Sequence, residues 1–248
     1  MRKILLLSII FLGLLHSMTN EQIINYFKSQ TEIKELNITV KDRRKVPDYP
    51  KFEFVVIEIS QINKGDGHIK YTPQKLNILI KDDFIFPEAI DIKNYTSLRQ
   101  KAGDELLLLD LAKIYKNETK DNIIFLGDTN KPSLVILSNP ECLYCRQELL
   151  NIEIRLRTNS IKMILIPQVP SALRKSALIY EEIANAKTDE QKITVLRKYY
   201  DENLTMLPNA NEKSIENADM LSQKYLKTGI ENIPVVIEEK KLLSKQVP

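Results

Sequence analysis

The chain has 248 residues, 36 Lys and Arg against 33 Asp and Glu, a net charge of +3, 6 glycines and 2 cysteines. Charges of both signs are mixed along it, which excludes the one-sided basic footprint of a nucleic-acid binder. A single pair of cysteines excludes a disulfide scaffold, so any core must hold by packing, and the length allows one large core or two domains of ordinary size.

Arg2 and Lys3 precede an apolar run from Ile4 to Leu15 interrupted only by Ser8 and Gly13, and polar residues follow at His16, Ser17, Thr19 and Asn20. This layout predicts a secretory signal peptide over residues 1–17. The run is short of the roughly 20 apolar residues a membrane span needs. Leu15 and Ser17 do not form an Ala-X-Ala cleavage pattern, which leaves an uncleaved N-terminal anchor as the alternative. No later stretch reads as a span, so the remainder is expected to be soluble and exported.

Asn20–Ser29 opens on a capping residue and reads as a short amphipathic helix. Strand-like runs follow at Leu36–Val40, Phe52–Ile62 and Lys75–Ile80, with Lys64-Gly65-Asp66-Gly67 as a turn between the last two. Pro47 and Pro50 are expected to keep the segment before Phe52 out of a ladder. His68, beside the glycine turn, reads as a solvated turn residue. Residues 18–98 thus predict a helix with a curled antiparallel sheet, and 98–117 switch to helical spacing through Leu106, Leu109 and Ile114. That helix (99–117) reads as a linker, with the domain boundary near residue 115.

The second half, residues 118–248, alternates. Asn122–Leu126, Leu134–Leu137 and Lys162–Ile166 read as strands, with a helix from Cys142 to about Arg157 that turns Leu149, Ile152 and Leu156 to one side. Ser171–Lys227 is mostly helical and too long for one crossover, so a helical cap is expected. Ile233–Glu238 and Lys241–Leu243 read as a closing hairpin. Strand–helix–strand order predicts an α/β layer with right-handed crossovers.

Both cysteines lie in Ser138-Asn139-Pro140-Glu141-Cys142-Leu143-Tyr144-Cys145-Arg146. A Cys-X-X-Cys pair with no other sulfur partner suits reversible thiol–disulfide exchange. Cys142 falls where a strand ends and a helix begins, and unpaired N–H groups and the helix dipole there favour the thiolate, the attacking species. Cys145 lies one turn further in. Cys142 therefore reads as the nucleophile and Cys145 as the resolving thiol. Leu143 and Tyr144 bring no cation between them, which argues against a strongly oxidising pair.

A zinc half-site would need two more ligands, and beyond residue 17 the chain offers only His68 and carboxylates. Haem attachment needs a histidine where Arg146 stands. An inert pair or a plain disulfide is the bland alternative. No metal and no cofactor beyond the Cys142–Cys145 redox pair is expected. Pro234, in the strand-like Ile233-Pro234-Val235-Val236-Ile237, cannot donate to a ladder and by itself reads as a strand-start proline.

The CXXC, the strand before it and the late Ile233-Pro234 together resemble the thioredoxin superfamily, and more narrowly the periplasmic disulfide isomerases of the DsbC/DsbG type. Ser138–Cys145 is similar to that family's Asp-Pro-X-Cys-X-Tyr-Cys pattern. Met163–Pro167 with Ser171 and Ser176-Ala177 resembles the strand and helix start after the active-site helix. Gly229–Val236 resembles the cis-proline loop, and Leu79–Pro87 with Ile90-Asp91 and Ser97-Leu98 the end of the dimerisation domain.

The resemblance implies an α+β, cystatin-like N-terminal dimerisation domain joined by a helix to an α/β thioredoxin-like domain with a helical insertion. It implies a periplasmic homodimer acting on unfolded or wrongly bridged exported proteins, kept reduced by a DsbD- or CcdA-like membrane thiol reductase. Ile233, Pro234, Leu143 and Tyr144 would contact substrate.

Four departures stand out. Asn139 replaces the usual Asp, Ile233 replaces the usual Thr, and the chain stops at Pro248, so the fold's last helix is expected to be missing or vestigial. The buried carboxylate of thioredoxins has no counterpart in the wholly apolar Leu134–Leu137, so proton transfer to Cys145 is expected to use another route, such as water. A disulfide isomerase or reductase is the first reading. A DsbA-like monomeric oxidase, a holdase chaperone without redox catalysis and a reductase of apocytochromes are the others.

Overall fold

The structure, a computed structural model, describes residues 18–33, 36–61, 74–204, 206–230 and 232–245. The expected signal segment, the Lys64–Gly67 turn and His68 lie outside the described residues. The chain forms two compact units that divide between Glu105 and Leu106.

The first unit opens with helix α1 (Asn20–Ser29), held by a capping box in which the Thr19 side chain and Gln22 satisfy each other's backbone N–H. Strands β1 (Leu36–Val46), β2 (Tyr49–Gln61), β3 (Gln74–Lys81) and β4 (Phe84–Phe86) form a sheet in sequential order. β1–β2, β2–β3 and β3–β4 all pair antiparallel. One face of the sheet buries Ile38, Val55, Ile57, Ile78 and Ile80 with Ile23 of α1, at the period-2 spacing of a strand, and Phe54, Val56 and Leu79, which alternate with them, are buried as well.

The prolines do not exclude the start of β2 from the sheet, contrary to the expectation. Pro47 and Asp48 form the two-residue turn that pairs Val46 with Tyr49, with Asp48 at φ 64°. Pro50 lies inside β2 opposite the register shift between Lys45 and Val46, where no ladder N–H is required of it. A small hairpin of β5 (Ile90–Asp91) and β6 (Thr96–Ser97) then leads into helix α2 (Leu98–Tyr115). The division at Glu105–Leu106 falls inside α2, so its first turns belong to this unit and its last turns to the next.

The second unit is built on β7 (Ile124–Leu126), β8 (Ser133–Ser138), β9 (Ser160–Leu165) and β10 (Val235–Glu238), arranged in the order β10-β8-β9-β7. β8 and β9 are parallel, while β7 and β10 run antiparallel to their neighbours. The crossover between β8 and β9 is helical but broken. α3 (Leu143–Leu150) and α4 (Ile152–Leu156) meet at Asn151, at φ −95° and ψ 10°, whose amide Nδ2 donates to Gln147 O at 3.1 Å. A side chain that bonds the preceding turn competes with helix continuation, and the break replaces the single helix read from the sequence. Leu149 and Ile152 are still buried together.

α5 (Pro170–Ile183), α6 (Asp189–Tyr200) and α7 (Glu212–Leu226) fill the long helical stretch. One core takes Ile136, Cys145, Ile161, Leu178, Leu196 and Tyr200; the other takes Leu111, Val135, Ile164, Leu221, Tyr225 and Leu242.

The closing hairpin is not formed. β10 runs directly into α8 (Glu239–Ser244), a last helix of six residues, so that helix is short but present. Glu, Lys and Leu are good helix formers, no turn residue separates them from β10, and helical spacing buries Leu242. Glu239 fastens the helix, accepting from Tyr115 Oη and Lys162 Nζ, each at 2.6 Å. Among the described residues no helix is long and apolar enough to cross a membrane.

Gly127, just after β7, sits at φ +93°, and a Cβ there would come within 2.8 Å of Leu156 Cδ2 and 3.3 Å of the Ser160 backbone. Gly127→Ala is expected to cost about 1–3 kcal/mol, measured as a lowered urea midpoint with the unfolding slope unchanged.

Candidate active site

The apolar Leu134–Leu137 stretch of β8 is buried, with β10 on one edge and β9 on the other. The chain leaves the strand at Ser138 and turns over Asn139, Pro140 and Glu141. Asn139 shapes that turn, its Oδ1 accepting from the Glu141 N–H at 3.0 Å and its carbonyl from the Cys142 N–H at 3.1 Å. An Asp could make the same turn, so the departure at this position preserves local geometry while removing a charge.

Cys142 is the N-cap of α3, half-buried, with its Sγ donating to the Ile233 carbonyl oxygen at 3.4 Å. Both sulfurs are thiols in this structure. The Ile233–Pro234 peptide bond is cis, unlike the plain strand-start proline that Pro234 suggested by itself. Ile233 packs against both cores. Leu143 and Tyr144, between the sulfurs in sequence, point outward at 56% and 66% exposure. Of the expected site residues, the structure brings Ile233 to Cys142, while Leu143, Tyr144 and Pro234 are their neighbours along the chain.

Cys145, one turn into α3, is only 1% exposed. The backbone N–H of Asn139 donates to its Sγ at 3.4 Å. Burial pushes its thiol from an ordinary 9.0 up to about 12; hydrogen bonds from Ser138 and Asn139 oppose that rise and neighbouring Cys142 adds to it. At neutral pH Cys145 is therefore protonated.

Charged groups surround the turn before Cys142. Lys175 of α5 is only 2% exposed, yet its Nζ meets Glu141 Oε1 at 3.1 Å and donates to the Asp201 carbonyl at 3.1 Å. Arg146 reaches Glu141 Oε2 at 3.2 Å and Glu202 Oε2 at 3.0 Å, while its Nε is buried without a partner. Sequence reasoning gave none of these residues a role, and it also missed Tyr200. Lys175 stands in a continuously buried run through Ile179; that run of Ser, Ala, Leu and Ile around one lysine was the available signal.

No family model matches the chain, and no curated protein matches it. Among solved structures it is similar to Helicobacter pylori DsbG, with a TM-score of 0.50 and 18% identity over 88% of this chain and 99% of that one. The chain shares the fold of that structure. A variant of Proteus mirabilis ScsC aligns at TM-score 0.44 and 16% identity, over 56% of this chain and 75% of its own. A periplasmic thioredoxin-like protein from Salmonella enterica serovar Typhimurium aligns at 0.35 and 15% identity, over 55% and 97%. β8, α3 and β9 form the strand–helix–strand unit that presents the two cysteines.

Cys145, the buried tyrosines Tyr200 and Tyr225 and the half-buried Tyr180 are all held above their ordinary values, chiefly by burial. Each would lose its proton at lower pH in the unfolded chain, so stability falls as pH rises above about 9. Urea midpoints measured from pH 7 to 11 should decline through that window. They should decline less steeply in Cys145→Ser, which removes one of the titrating groups; an unchanged slope would contradict the burial of that thiol.

Proposed function

We propose that this chain is an exported thiol–disulfide oxidoreductase, acting as a disulfide isomerase or reductase on wrongly bridged or unfolded proteins. The observation that carries this reading is the asymmetry of the pair: Cys142 is accessible at a helix start against the Ile233 carbonyl, and Cys145 is buried behind it.

The Cys142 thiolate attacks one sulfur of a substrate disulfide. A mixed disulfide forms, and the other substrate sulfur leaves with the electron pair and takes up a proton. A substrate thiolate can then displace Cys142, which isomerises the substrate and regenerates the enzyme. Alternatively Cys145 attacks Cys142, which releases a reduced substrate and leaves a Cys142–Cys145 disulfide. That disulfide needs two electrons from outside, for which a DsbD- or CcdA-like membrane reductase is the fitting donor. Leu143 and Tyr144 offer apolar contact to a substrate chain, and the backbone at Ile233 and Pro234 holds it beside Cys142.

The same reading places the protein in the periplasm as a homodimer. The first unit would act as the dimerisation domain, and its exposed Phe84, Ile90, Ile92 and Tyr95 support that role as apolar surface for a second copy. Sedimentation of the full chain should give twice the monomer mass; a monomer at micromolar concentration would remove the dimer and favour a DsbA-like oxidase.

Cys142→Ser should reduce insulin reduction and the refolding of a scrambled substrate to the uncatalysed rate. Cys145→Ser should accumulate a mixed disulfide at Cys142 while keeping part of the isomerisation. Refolding that survives Cys142→Ser would point instead to a holdase.

A further inference from the structure

Cys145 must become a thiolate to resolve a mixed disulfide, yet it lies in a core with no buried carboxylate in the strand before it. The polar groups beside it are the Ser138 hydroxyl and the Asn139 amide. Ser138, the last residue of β8, is 1% exposed, and its side chain pulls the Cys145 thiol down against the rise that burial causes. Tyr200, the last residue of α6, is buried as well, and its Oη donates to Ser138 Oγ at 2.7 Å, with Met163 Sδ at 3.8 Å as a weaker neighbour. A phenol is a better donor than an aliphatic hydroxyl. With Tyr200 donating to Ser138, the serine's own proton is left for the sulfur, and polarisation along such a chain strengthens the last bond.

We propose that Tyr200 and Ser138 form a directional hydroxyl chain that, with the Asn139 N–H, stabilises the Cys145 thiolate. It would act both when Cys145 attacks the mixed disulfide and when it departs from the Cys142–Cys145 disulfide. This rests on the exchange reading above. In the resolving step the Cys145 thiolate bonds to Cys142 Sγ. The bond from Cys142 to the substrate sulfur breaks with its electron pair on that sulfur, and the proton lost by Cys145 passes through solvent to the leaving thiolate. The hydroxyls keep their protons and only donate. In this chain Ser138 would donate to the reacting sulfur; Tyr200 is a positioning residue that acts through it.

The test uses the full chain reduced and mixed with an aromatic disulfide that releases a coloured thiolate. A first phase reports attack by Cys142 and a second reports resolution by Cys145. In Ser138→Ala and in Tyr200→Phe, which keeps the ring and its packing, the ratio of second-phase to first-phase rate should fall about tenfold. The pH profile of the second phase should move to higher pH. Because the two groups act in series, the double variant should be no slower than Ser138→Ala alone. Unchanged second phases, or additive losses in the double variant, would overturn the chain while leaving exchange intact. A wild-type protein with no first phase would overturn the exchange reading and the chain with it.

Discussion

The site depends on the burial of β8. A strand flanked by β9 on one edge and β10 on the other, with apolar residues from Leu134 to Leu137, has little freedom of register, because a one-residue slip would exchange its two faces. The end of that strand is therefore a fixed point. Ser138 is its last residue, and Cys142 is four positions on, at the first turn of α3. Parallel pairing with β9 requires a crossover, and the crossover helix is the one that carries both sulfurs. β10 is pinned to the opposite edge of β8, which brings the Ile233 carbonyl and the cis Ile233–Pro234 bond up to Cys142.

Helical geometry then makes the two thiols unlike. Position 142 faces outward at the helix start, and position 145, three residues later, turns into the core beside Leu149 and Ile152. Burial keeps Cys145 protonated; under the proposed exchange its rate of attack would be set by how well its thiolate is stabilised. The difference between the sulfurs needs no special residue between them. Leu143 and Tyr144 are left free to present apolar surface.

Much of this was legible in the sequence because it lay in local patterns: a wholly apolar strand, a Cys-X-X-Cys just past its end, and a proline where a strand should start. The errors came where local patterns are ambiguous. Lys241–Leu243 looked like a strand because a run of three residues has no period of its own, and only burial of Leu242 at helical spacing decided otherwise. Pro50 looked excluded from the sheet because a register shift cannot be seen from one strand alone. Lys175 and Tyr200 were invisible for a different reason. They lie 30 or more residues beyond the cysteines, on α5 and α6, and no spacing rule links a long-range partner to a motif it meets only after folding.

Those long-range partners change what the helical stretch after β9 is for. A lysine as buried as Lys175 is tolerated only when paired, since an unpaired charge there would cost several kcal/mol. Its partners are Glu141, immediately before Cys142, and the carbonyl of Asp201, just past the end of α6. Arg146 closes the group by bridging Glu141 to Glu202. The turn that presents Cys142 is thus tied by one buried cation to α5 and by one guanidinium to the segment after α6. Tyr200 adds a third tie, from the end of α6 to the end of β8. All three converge within a few residues of the sulfurs, so the conformation of the Cys142 turn is coupled to the folding of α5 and α6. Local structure alone could hold that turn through Asn139. The helices after β9 add the Lys175 charge and the Tyr200 hydroxyl to what the strand–helix–strand unit itself contains, and this is how that helical stretch becomes part of the site.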